Sequence, residues 1–527
     1  MIMKKIFVFD TTLRDGSQGA GVSFSVEDKI KIALALDAFG ISYIEGGWPG
    51  SNPKDEEFFK AAKNKIKKSK LVAFSSTRRK NIKAKDDANI NKVVSSGVKS
   101  ACIFGKSWDF HVIHALNTTL DENLNMISDT VSYLKSKKIE VIYDAEHFFD
   151  GYAANPQYAV KTIEAAVNAG ADFVCLCETN GGKLPLEVSG TVKEMKQKFP
   201  GVRFGIHAHN DSDCATANSV IAVESGCEMV QGTINGIGER CGNANLCSII
   251  PALQLKKDYS CVPAENIEKL TELSMHIYEI ANLVPNDLLP YVGRSAFAHK
   301  AGVHVSAIEK NSKTYEHINP QQVGNARRIL VSDLSGKSNI LSKAGEMQIN
   351  INDKSDKIKE VIKAVKEKEN QGYQYEDADG SFFVLTKKIE KHCDNFFTLK
   401  GYRVSVEKNI DGRIISEATV KLDVNGREEH TVAEGEGPVN ALDKCLRKAL
   451  MNFYPEIKDV LLIDFKVRVI DSNANTSASV RVLIESKDQK HTWGTIGVSE
   501  NIIDASWQAL ADSVEYKLLK NKIESKK

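Results

Sequence analysis

The sequence lacks an excess of either charge, since 70 lysine and arginine residues face 69 aspartate and glutamate residues in a chain of 527. A balanced chain offers no electrostatic footprint for nucleic acid or for an anionic membrane surface. It also lacks an apolar run long enough to cross a bilayer. Its first apolar stretch is too short, and too soon interrupted by Asp10, to be a signal peptide. We therefore expect no nucleic-acid partner, no membrane partner and a cytoplasmic protein.

Cysteine is too sparse for a disulfide scaffold, because only ten cysteines are spread over the whole chain. Cys175 and Cys177 share one face of a predicted strand, and Cys241 and Cys247 lie near a glycine-rich loop. The spacing is not the usual CxxC pairing of a zinc site. We interpret these residues as reduced core or near-site thiols, with a cysteine zinc site as the alternative.

A repeated unit of apolar run, loop and helical stretch fills about the first 250 residues, as in the barrel folds of that size. The apolar runs begin at Ile6, Tyr43, Leu71, Ala101, Glu140, Phe173, Arg203 and Met229. Most are almost continuously apolar, which is typical of parallel strands buried on both faces. Eight such units predict an α/β fold of the TIM (β/α)8 barrel type. The alternative is an open doubly wound sheet, but no GxGxxG loop follows the first run.

Reactive side chains gather where the predicted strands end, which is where active sites lie in a TIM barrel. His207 and His209 lie two residues apart on one strand, so they point to the same face. Together with Asp15 they form a set of two imidazoles and one carboxylate, which leaves coordination positions of a metal open for substrate. The alternative is that the two histidines are ordinary polar residues of a strand.

The neighbours of this set suit a 2-oxo acid held by a divalent metal. Arg14 keeps its charge at working pH and can stabilise an alkoxide, although it can also form a structural ion pair. Thr179 offers a hydroxyl and an N–H group to a carboxylate, and its alternative role is to cap a strand end. Asn243 is a candidate fourth or water-mediated ligand.

The pattern changes after Pro285 and again near Phe396. We predict a barrel domain at 1–285, mostly helical linker subdomains at 286–395 and a C-terminal α+β domain at 396–527. The stretch 352–370 is rich in lysine and glutamate and reads as a solvated helix. In the last domain ATVKLDV at Ala418 matches ASVRVLI at Ala478, which indicates two ββα-like repeats. The cleft between them is a candidate effector site, and plain structural duplication is the alternative.

Several motifs together carry a family resemblance that spans nearly the whole chain: FDTTLRDGSQ, HAHND, GIGERCGNANL and FAHKAGVH, followed by the duplicated domain. With these the chain closely resembles the acetyl-CoA-dependent 2-oxo acid condensing enzymes, namely the 2-isopropylmalate, homocitrate and citramalate synthases. The segments EGGWPGSNPKD, YDAEHFFDGY and TNGGKLP look most like the citramalate synthases. A 2-isopropylmalate synthase is the alternative. A lyase of the same barrel superfamily is a further one, although such lyases lack the duplicated domain.

The resemblance implies a set of site residues. The implied metal ligands are Asp15, His207 and His209, and Arg14 and Glu146 match the active-site pair. Thr179 matches the contact to the 2-oxo acid carboxylate. His304 and Tyr315 match linker residues that complete the site, in this family from the partner subunit of a homodimer. Glu178 is a departure, because the family usually has aspartate there, and the extra methylene puts the role of this carboxylate in doubt.

The resemblance also implies the reaction, a Claisen condensation of acetyl-CoA with a 2-oxo acid that is followed by thioester hydrolysis. It implies a divalent metal (Mg, Mn or Zn), either Glu146 or His304 as the base, and control by isoleucine or leucine. The expected acceptor wall consists of Phe74, Ile103, Phe104 and Tyr143, although all four also suit the barrel core. These bulky residues favour pyruvate, and hence citramalate formation in isoleucine biosynthesis.

Overall fold

The computed structural model describes residues 3–347, 356–390, 395–470 and 478–525. The chain divides into two compact units, the first made of Met1–Phe297 with His317–Arg327 and the second of Ala298–Glu316 with Arg328–Lys527. Within the described ranges, no helix combines the length and apolar character needed to cross a membrane. The predicted domain limits at residues 285 and 395 stay predictions.

Eight parallel strands close into a barrel in the first unit. In chain order, β1 to β8 are Phe7–Asp10, Tyr43–Gly47, Lys70–Ser76, Ser100–Lys106, Glu140–Glu146, Phe173–Glu178, Phe204–Ala208 and Met229–Gly232. The barrel closes because β1 pairs with both β2 and β8. Each predicted apolar run overlaps one of these strands, so the predicted TIM barrel is confirmed.

Helices follow the strands and pack their apolar faces against the outer side of the barrel. They are, from α1 to α11, Val26–Phe39, Pro53–Ala62, Ala88–Ser95, Asp109–His114, Leu120–Ser136, Phe148–Ala154, Pro156–Asn168, Pro185–Lys198, Ala215–Glu224, Leu246–Lys256 and Leu270–Ile280. At the start of α1 the side chains of Ser25 and Asp28 each accept from the other residue's backbone N–H. The helix ends at Gly40, whose φ of 98° is a left-handed conformation that glycine adopts without strain.

Alternation along the strands separates two apolar layers. Side chains that point inward, such as Phe74, Cys102 and Ile142, form a core inside the barrel. Their neighbours Ile103 and Tyr143 point outward and pack in the core between strands and helices. Because successive side chains of a strand point to opposite faces, this parity decides which strand residues reach the open end of the barrel.

The second unit begins with helices α12 to α15, which are Gly302–Lys310, Lys337–Glu346, Lys357–Asn370 and Asp379–Glu390. The predicted lysine- and glutamate-rich helix corresponds to α14, and its predicted first residues, up to 355, lie outside the described residues. It is not solvated all round, since Ile358, Val361 and Val365 are buried against the neighbouring helices. The three apolar residues are spaced i, i+3 and i+7, which places them on one helical face.

The C-terminal part contains two copies of a three-stranded antiparallel sheet followed by a helix. The elements are β9 Thr398–Lys408, β10 Ile414–Val424, β11 Arg427–Gly435 and α16 Pro438–Leu450, then β12 Leu461–Val469, β13 Val480–Lys487, β14 Thr492–Ser499 and α17 Ile502–Glu524. The predicted repeat is present, but each copy has one more strand than the predicted ββα. The extra strands, β9 and β12, are edge strands that are largely exposed, so their pattern lacks a clean buried face.

Candidate active site

A cavity of about 250 Å³ opens at the C-terminal end of the barrel. Its walls come from the ends of all eight strands, namely Arg14, Asp15, Gln18, Trp48, Phe74, Phe104, Asp144, Glu146, Cys177, Thr179, His207, His209, Glu239 and Arg240. Most of the residues that the sequence singled out on the barrel therefore face one space. The position agrees with the general placement of active sites in this fold.

Asp15, His207 and His209 converge at the floor of this cavity. Asp15 Oδ2 lies 3.3 Å from His207 Nε2 and 3.9 Å from His209 Nε2, and the two Nε2 atoms are 3.3 Å apart. All three side chains are buried, and one ligand atom from each lies within 4.8 Å of the others. Two imidazole nitrogens and a carboxylate oxygen are a donor set that suits a divalent metal such as zinc.

The electrostatics of the set favour the ligating forms of two of its members. Burial alone would raise the pKa of Asp15, but the Arg14 guanidinium and His207 hold that pKa well below its ordinary value. Burial, together with the neighbouring His207, lowers the pKa of His209 to about 4. At neutral pH the Asp15 carboxylate is therefore ionised and the His209 ring is neutral, as a metal ligand must be.

Asn243 lies beside the set, with its Nδ2 atom 3.5 Å from His207 Nε2. Its Oδ1 atom is buried and has no hydrogen-bond partner within the described residues, which suits the predicted role as a further ligand. A side chain on Gly238 would place a Cβ atom only 2.0 Å from this oxygen. Glycine at 238 therefore lets the loop after β8 pack onto Asn243.

Arg14 lies between two carboxylates and an aromatic ring. Its Nε donates to Glu45 Oε2 at 2.7 Å, and its Nη1 lies 3.2 Å from Asp15 Oδ2. The guanidinium carbon sits 3.9 Å from the centroid of the Phe74 ring. Arg14 thus forms the ion pair that was its alternative interpretation and also lines the cavity, so the two roles coexist.

Glu146 and Thr179 occupy the adjacent rim. Glu146 Oε2 pairs with the Lys106 ammonium group at 2.5 Å. The Thr179 hydroxyl accepts from the His147 N–H at 2.9 Å, which leaves its own O–H free to donate to a ligand. Arg240 donates to the Thr179 carbonyl at 2.8 Å and fixes this strand end.

Three aromatic rings form one wall of the cavity. Phe74 and Phe104 stack with centroids 5.2 Å apart, and Trp48 meets each of them edge-on at 5.7 Å. Phe74 and Phe104 belong to the predicted acceptor wall. Ile103 and Tyr143 do not, because strand alternation turns them outward into the helix-facing core. The predicted substrate contact of Tyr143 is accordingly a correction: the side chain is fully buried, with its hydroxyl 3.5 Å from Ser107 Oγ.

Three further predicted residues are not among those that line the cavity. Glu178 accepts from the Gly182 N–H at 3.0 Å and closes its own loop. His304 lies in α12 and Tyr315 follows it, both in the second unit, with their rings 4.2 Å apart and exposed. Their predicted role in the site stays a prediction.

The sequence reasoning missed Trp48, Lys106, Asp144 and Gln231. A signal existed for Asp144, because it shares the inward parity of Glu146 on β5. Trp48 stands in the EGGWPGSNPKD segment directly after β2, at a strand end. No local pattern distinguishes Gln231 from other strand residues, since its role arises from partners on other strands.

The cysteines that the structure describes are free, whereas Cys393 lies outside the described residues. Cys175 and Cys177 lie close to Asp144 inside the barrel. Burial raises the pKa of Cys177 to about 11, so it stays a thiol and not the thiolate that ligates metal. This favours the interpretation of these residues as core thiols.

Comparison with known proteins gives independent evidence on the family to which this chain belongs. Family models match three consecutive regions: HMGL-like at 5–284, homocitrate synthase post-HMGL domain-like at 291–373, and LeuA allosteric (dimerisation) domain at 376–518. The chain is 56% identical to the (R)-citramalate synthase of Aquifex aeolicus, with 99% of both chains covered, and 54% identical to that of Geobacter sulfurreducens, with 98% of both covered. Identity to the 2-isopropylmalate synthase of Clostridium kluyveri is 30%, over 97% of this chain and 96% of that one.

These matches confirm the resemblance drawn from the motifs. They extend over both units, so they cover the barrel and the duplicated C-terminal part alike. The chain therefore belongs to the HMGL-like family and, within it, to the citramalate synthases.

Proposed function

We propose that this chain condenses acetyl-CoA with pyruvate and hydrolyses the thioester, forming (R)-citramalate and free coenzyme A for isoleucine biosynthesis. One observation carries the proposal: a single small cavity contains the Asp15, His207 and His209 set, Arg14 and Thr179, and an aromatic wall. The test is to incubate the protein with acetyl-CoA and pyruvate, follow thiol release, and identify the product by chiral chromatography. Thiol release with 2-oxoisovalerate in preference to pyruvate would instead indicate a 2-isopropylmalate synthase.

A divalent metal fits the site, because Asp15, His207 and His209 offer a compact set of donors beside the buried Asn243 Oδ1. When bound there, such an ion supplies Lewis acidity to the ketone and carboxylate of a 2-oxo acid. The choice among magnesium, manganese and zinc belongs to the proposal, and all three are to be compared in reconstitution.

Two residues would recognise the acceptor. Thr179 lines the cavity, its hydroxyl oxygen accepts from the His147 N–H, and its O–H can donate to the pyruvate carboxylate. Arg14 presents a permanently charged, planar donor group at the same end of the cavity. Its charge would stabilise the alkoxide that develops on the ketone oxygen when the carbon is attacked.

The base that removes a proton from the acetyl methyl group is Glu146 or His304. Glu146 lies in the cavity, and the Lys106 ammonium group 2.5 Å away orients its carboxylate. His304 belongs to the second unit, with Tyr315 against its ring. We keep both candidates, with His304 and Tyr315 supplied by the partner subunit of a homodimer.

The aromatic wall would restrict the acceptor to a small one. Phe104→Ala should raise the ratio of kcat/KM for 2-oxobutanoate to that for pyruvate by about tenfold or more, since one methylene in an apolar pocket changes selectivity by this order. The ratio is measured from thiol release with each acid. Ile103→Val, on the neighbouring outward-facing residue, is the matched control and should leave the ratio as in the wild type. An unchanged ratio for Phe104→Ala would contradict the assignment of this wall.

A lyase of the same barrel superfamily is the less favoured function. Such a protein would cleave the carbon–carbon bond. The match to an allosteric (dimerisation) domain at 376–518 favours a synthase, because the lyases lack the duplicated domain. Incubation with citramalyl-CoA distinguishes the two functions, because a lyase would release pyruvate and acetyl-CoA, whereas the synthase would hydrolyse the thioester to citramalate and free coenzyme A. The cytoplasmic location stays a prediction.

The C-terminal part supports the proposed homodimer. On β12, Phe465, Val467 and Val469 share the face of the buried Val482 and Ile484, yet they are 36%, 43% and 53% exposed. An edge strand with uncovered apolar side chains is a surface that pairs with another chain.

Phe465→Glu should therefore weaken the dimer, because the new charge would have to be buried at the contact. Light scattering would show the mass moving toward that of one chain, 58.1 kDa. Lys466→Glu, on the opposite face of the same strand, is the control and should stay dimeric. Equal masses for wild type and both variants would remove β12 from the interface.

Isoleucine, and after it leucine, is the effector that we propose for this domain. Backbone N–H groups at glycines in the loops after the paired strands could bind its carboxylate, and Gly435, Gly437, Gly494 and Gly497 are the candidates. Gly494 and Gly497 lie within β14, where a Cβ atom would approach the Asp377 and Ala505 carbonyl oxygens to 1.8 and 1.9 Å. Gly435 is equally crowded by Ala441, so these three glycines serve close packing. Gly437, at the start of α16, has open space around it and remains a candidate.

Deleting the C-terminal domain is a poor test of the proposed regulation by isoleucine. A cut near Asp394, just before the predicted start of the last domain, lies outside the described residues. Such a cut would expose apolar side chains of α15, because Phe382 and Phe383 are buried in one core with Trp493 and Tyr516. The dimer-weakening variant Phe465→Glu in the full-length chain is the better tool, and its isoleucine response is compared with that of the wild type.

A further inference from the structure

A chain of three buried side chains crosses the barrel beneath the cavity floor. His207 Nδ1 lies 2.8 Å from Gln231 Oε1, and Gln231 Nε2 donates to Asp144 Oδ1 at 2.8 Å. The three residues come from β7, β8 and β5, and their exposed fractions are 5%, 0% and 4%. Hydrogen bonds between side chains buried to this degree are strong, and a lost partner is costly.

The direction of each bond follows from which groups can donate. The Asp144 carboxyl group has an acceptor oxygen for Gln231 in either protonation state. In the structure the Gln231 NH2 group donates to Asp144 Oδ1, and its Oε1 atom therefore faces His207 Nδ1. An oxygen acceptor beside Nδ1 requires that His207 carry a proton on that nitrogen.

A proton on Nδ1 of His207 determines which of its ring nitrogens can bind a metal. A neutral imidazole with its proton on Nδ1 has its lone pair on Nε2. This is the atom that lies 3.3 Å from both Asp15 Oδ2 and His209 Nε2. By contrast, His209 Nδ1 is buried and has no hydrogen-bond partner within the described residues. Of the two imidazoles, only that of His207 is therefore held by a hydrogen bond at its Nδ1 atom.

We propose that Gln231 is a positioning residue that fixes the tautomer and ring orientation of His207, and that Asp144 in turn fixes the Gln231 amide. This inference rests on the proposed metal site and adds to it two residues, Gln231 and Asp144, that act on the metal ligand His207 through hydrogen bonds. Partners of this kind orient a ligating histidine, and their loss usually weakens metal binding by about 10- to 100-fold.

The experiment measures Mn²⁺ affinity by calorimetry in the full-length protein, without substrates. Gln231→Leu should weaken binding about 10- to 100-fold, because His207 loses the acceptor that holds its tautomer. Gln231→Glu keeps an oxygen beside Nδ1 and should lose much less affinity. Asn218→Leu, which removes a buried amide that donates to the Lys183 carbonyl, is the matched control for a general packing effect and should bind as the wild type does.

Asp144→Leu tests the outer link. Without its acceptor, the Gln231 amide can rotate and present NH2 to His207, so Mn²⁺ affinity should fall although Gln231 is intact. If Gln231→Leu fails to fold, Asp144→Leu decides by the same criterion. If those of the two variants that fold bind Mn²⁺ as tightly as the wild type, the proposal is overturned.

A second readout, the 15N shifts of histidine-labelled protein without metal, reports the tautomer directly. The wild type should show His207 protonated on Nδ1, and the folded variant should lose this signature. A wild-type His207 protonated on Nε2 and not on Nδ1 would contradict the assignment. Failure of the wild type to form citramalate would count against the proposed function alone, since neither readout depends on turnover.

Discussion

Replacing Arg14 with lysine should lower kcat about 10²- to 10³-fold, the usual effect of removing a donor to a developing oxyanion. Lysine keeps the charge but loses the planar fork. That fork now contacts Glu45 Oε2 at 2.7 Å and Asp15 Oδ2 at 3.2 Å while it lies over Phe74. A single ammonium group cannot reproduce three directional contacts. Steady-state thiol release with acetyl-CoA and pyruvate measures the effect.

Arg203 provides a matched control for this variant. Its guanidinium carbon also stacks on a phenylalanine, 3.8 Å from the centroid of Phe173, but at the N-terminal end of the barrel, just before β7. Arg203→Lys should therefore keep near-normal turnover. If Arg14→Lys turned over as fast as Arg203→Lys, Arg14 would be a structural ion-pair partner of Glu45 and nothing more.

Changing Glu146 to glutamine should lower kcat about 10²- to 10⁴-fold if this carboxylate is the base, since positioned acid–base groups contribute by that order. Glutamine has nearly the same shape but cannot take up the proton of the acetyl methyl group. It also loses the charge that attracts Lys106, 2.5 Å away. Exchange of the methyl protons of acetyl-CoA with deuterated solvent, followed by NMR, separates this step from substrate binding.

Glu178→Gln is the control for Glu146→Gln. Glu178 ends the adjacent strand and is equally a glutamate, but its carboxylate serves the Gly182 N–H and not the cavity. Its loss should cost far less turnover. If Glu146→Gln stayed active while His304→Ala lost proton exchange, the base would be His304 and Glu146 would have an orienting role.

The amino-acid sequence by itself determined the barrel and the positions of its reactive ends. Eight apolar runs at βα spacing leave few other ways to bury parallel strands on both faces. Same-face spacing brought His207 and His209 together, and the fold then required Asp15, at the end of β1, to face them across one opening. The repeat in the last domain was visible for a similar reason, since buried strands keep their pattern.

Only the tertiary structure decided which strand residues face the cavity and what holds them there. Tyr143 and Asp144 are adjacent in sequence, yet one enters the outer core and the other meets Gln231 inside the barrel. The edge strands β9 and β12 were missed although apolar and polar residues alternate along them, and only the sheet pairing in the structure shows that each copy has a third strand. Gln231 could not be recognised because its partners lie 24 and 87 residues away along the chain. Hydrogen bonds between distant strands leave no local pattern, so the orientation of His207 becomes visible only once the barrel has closed.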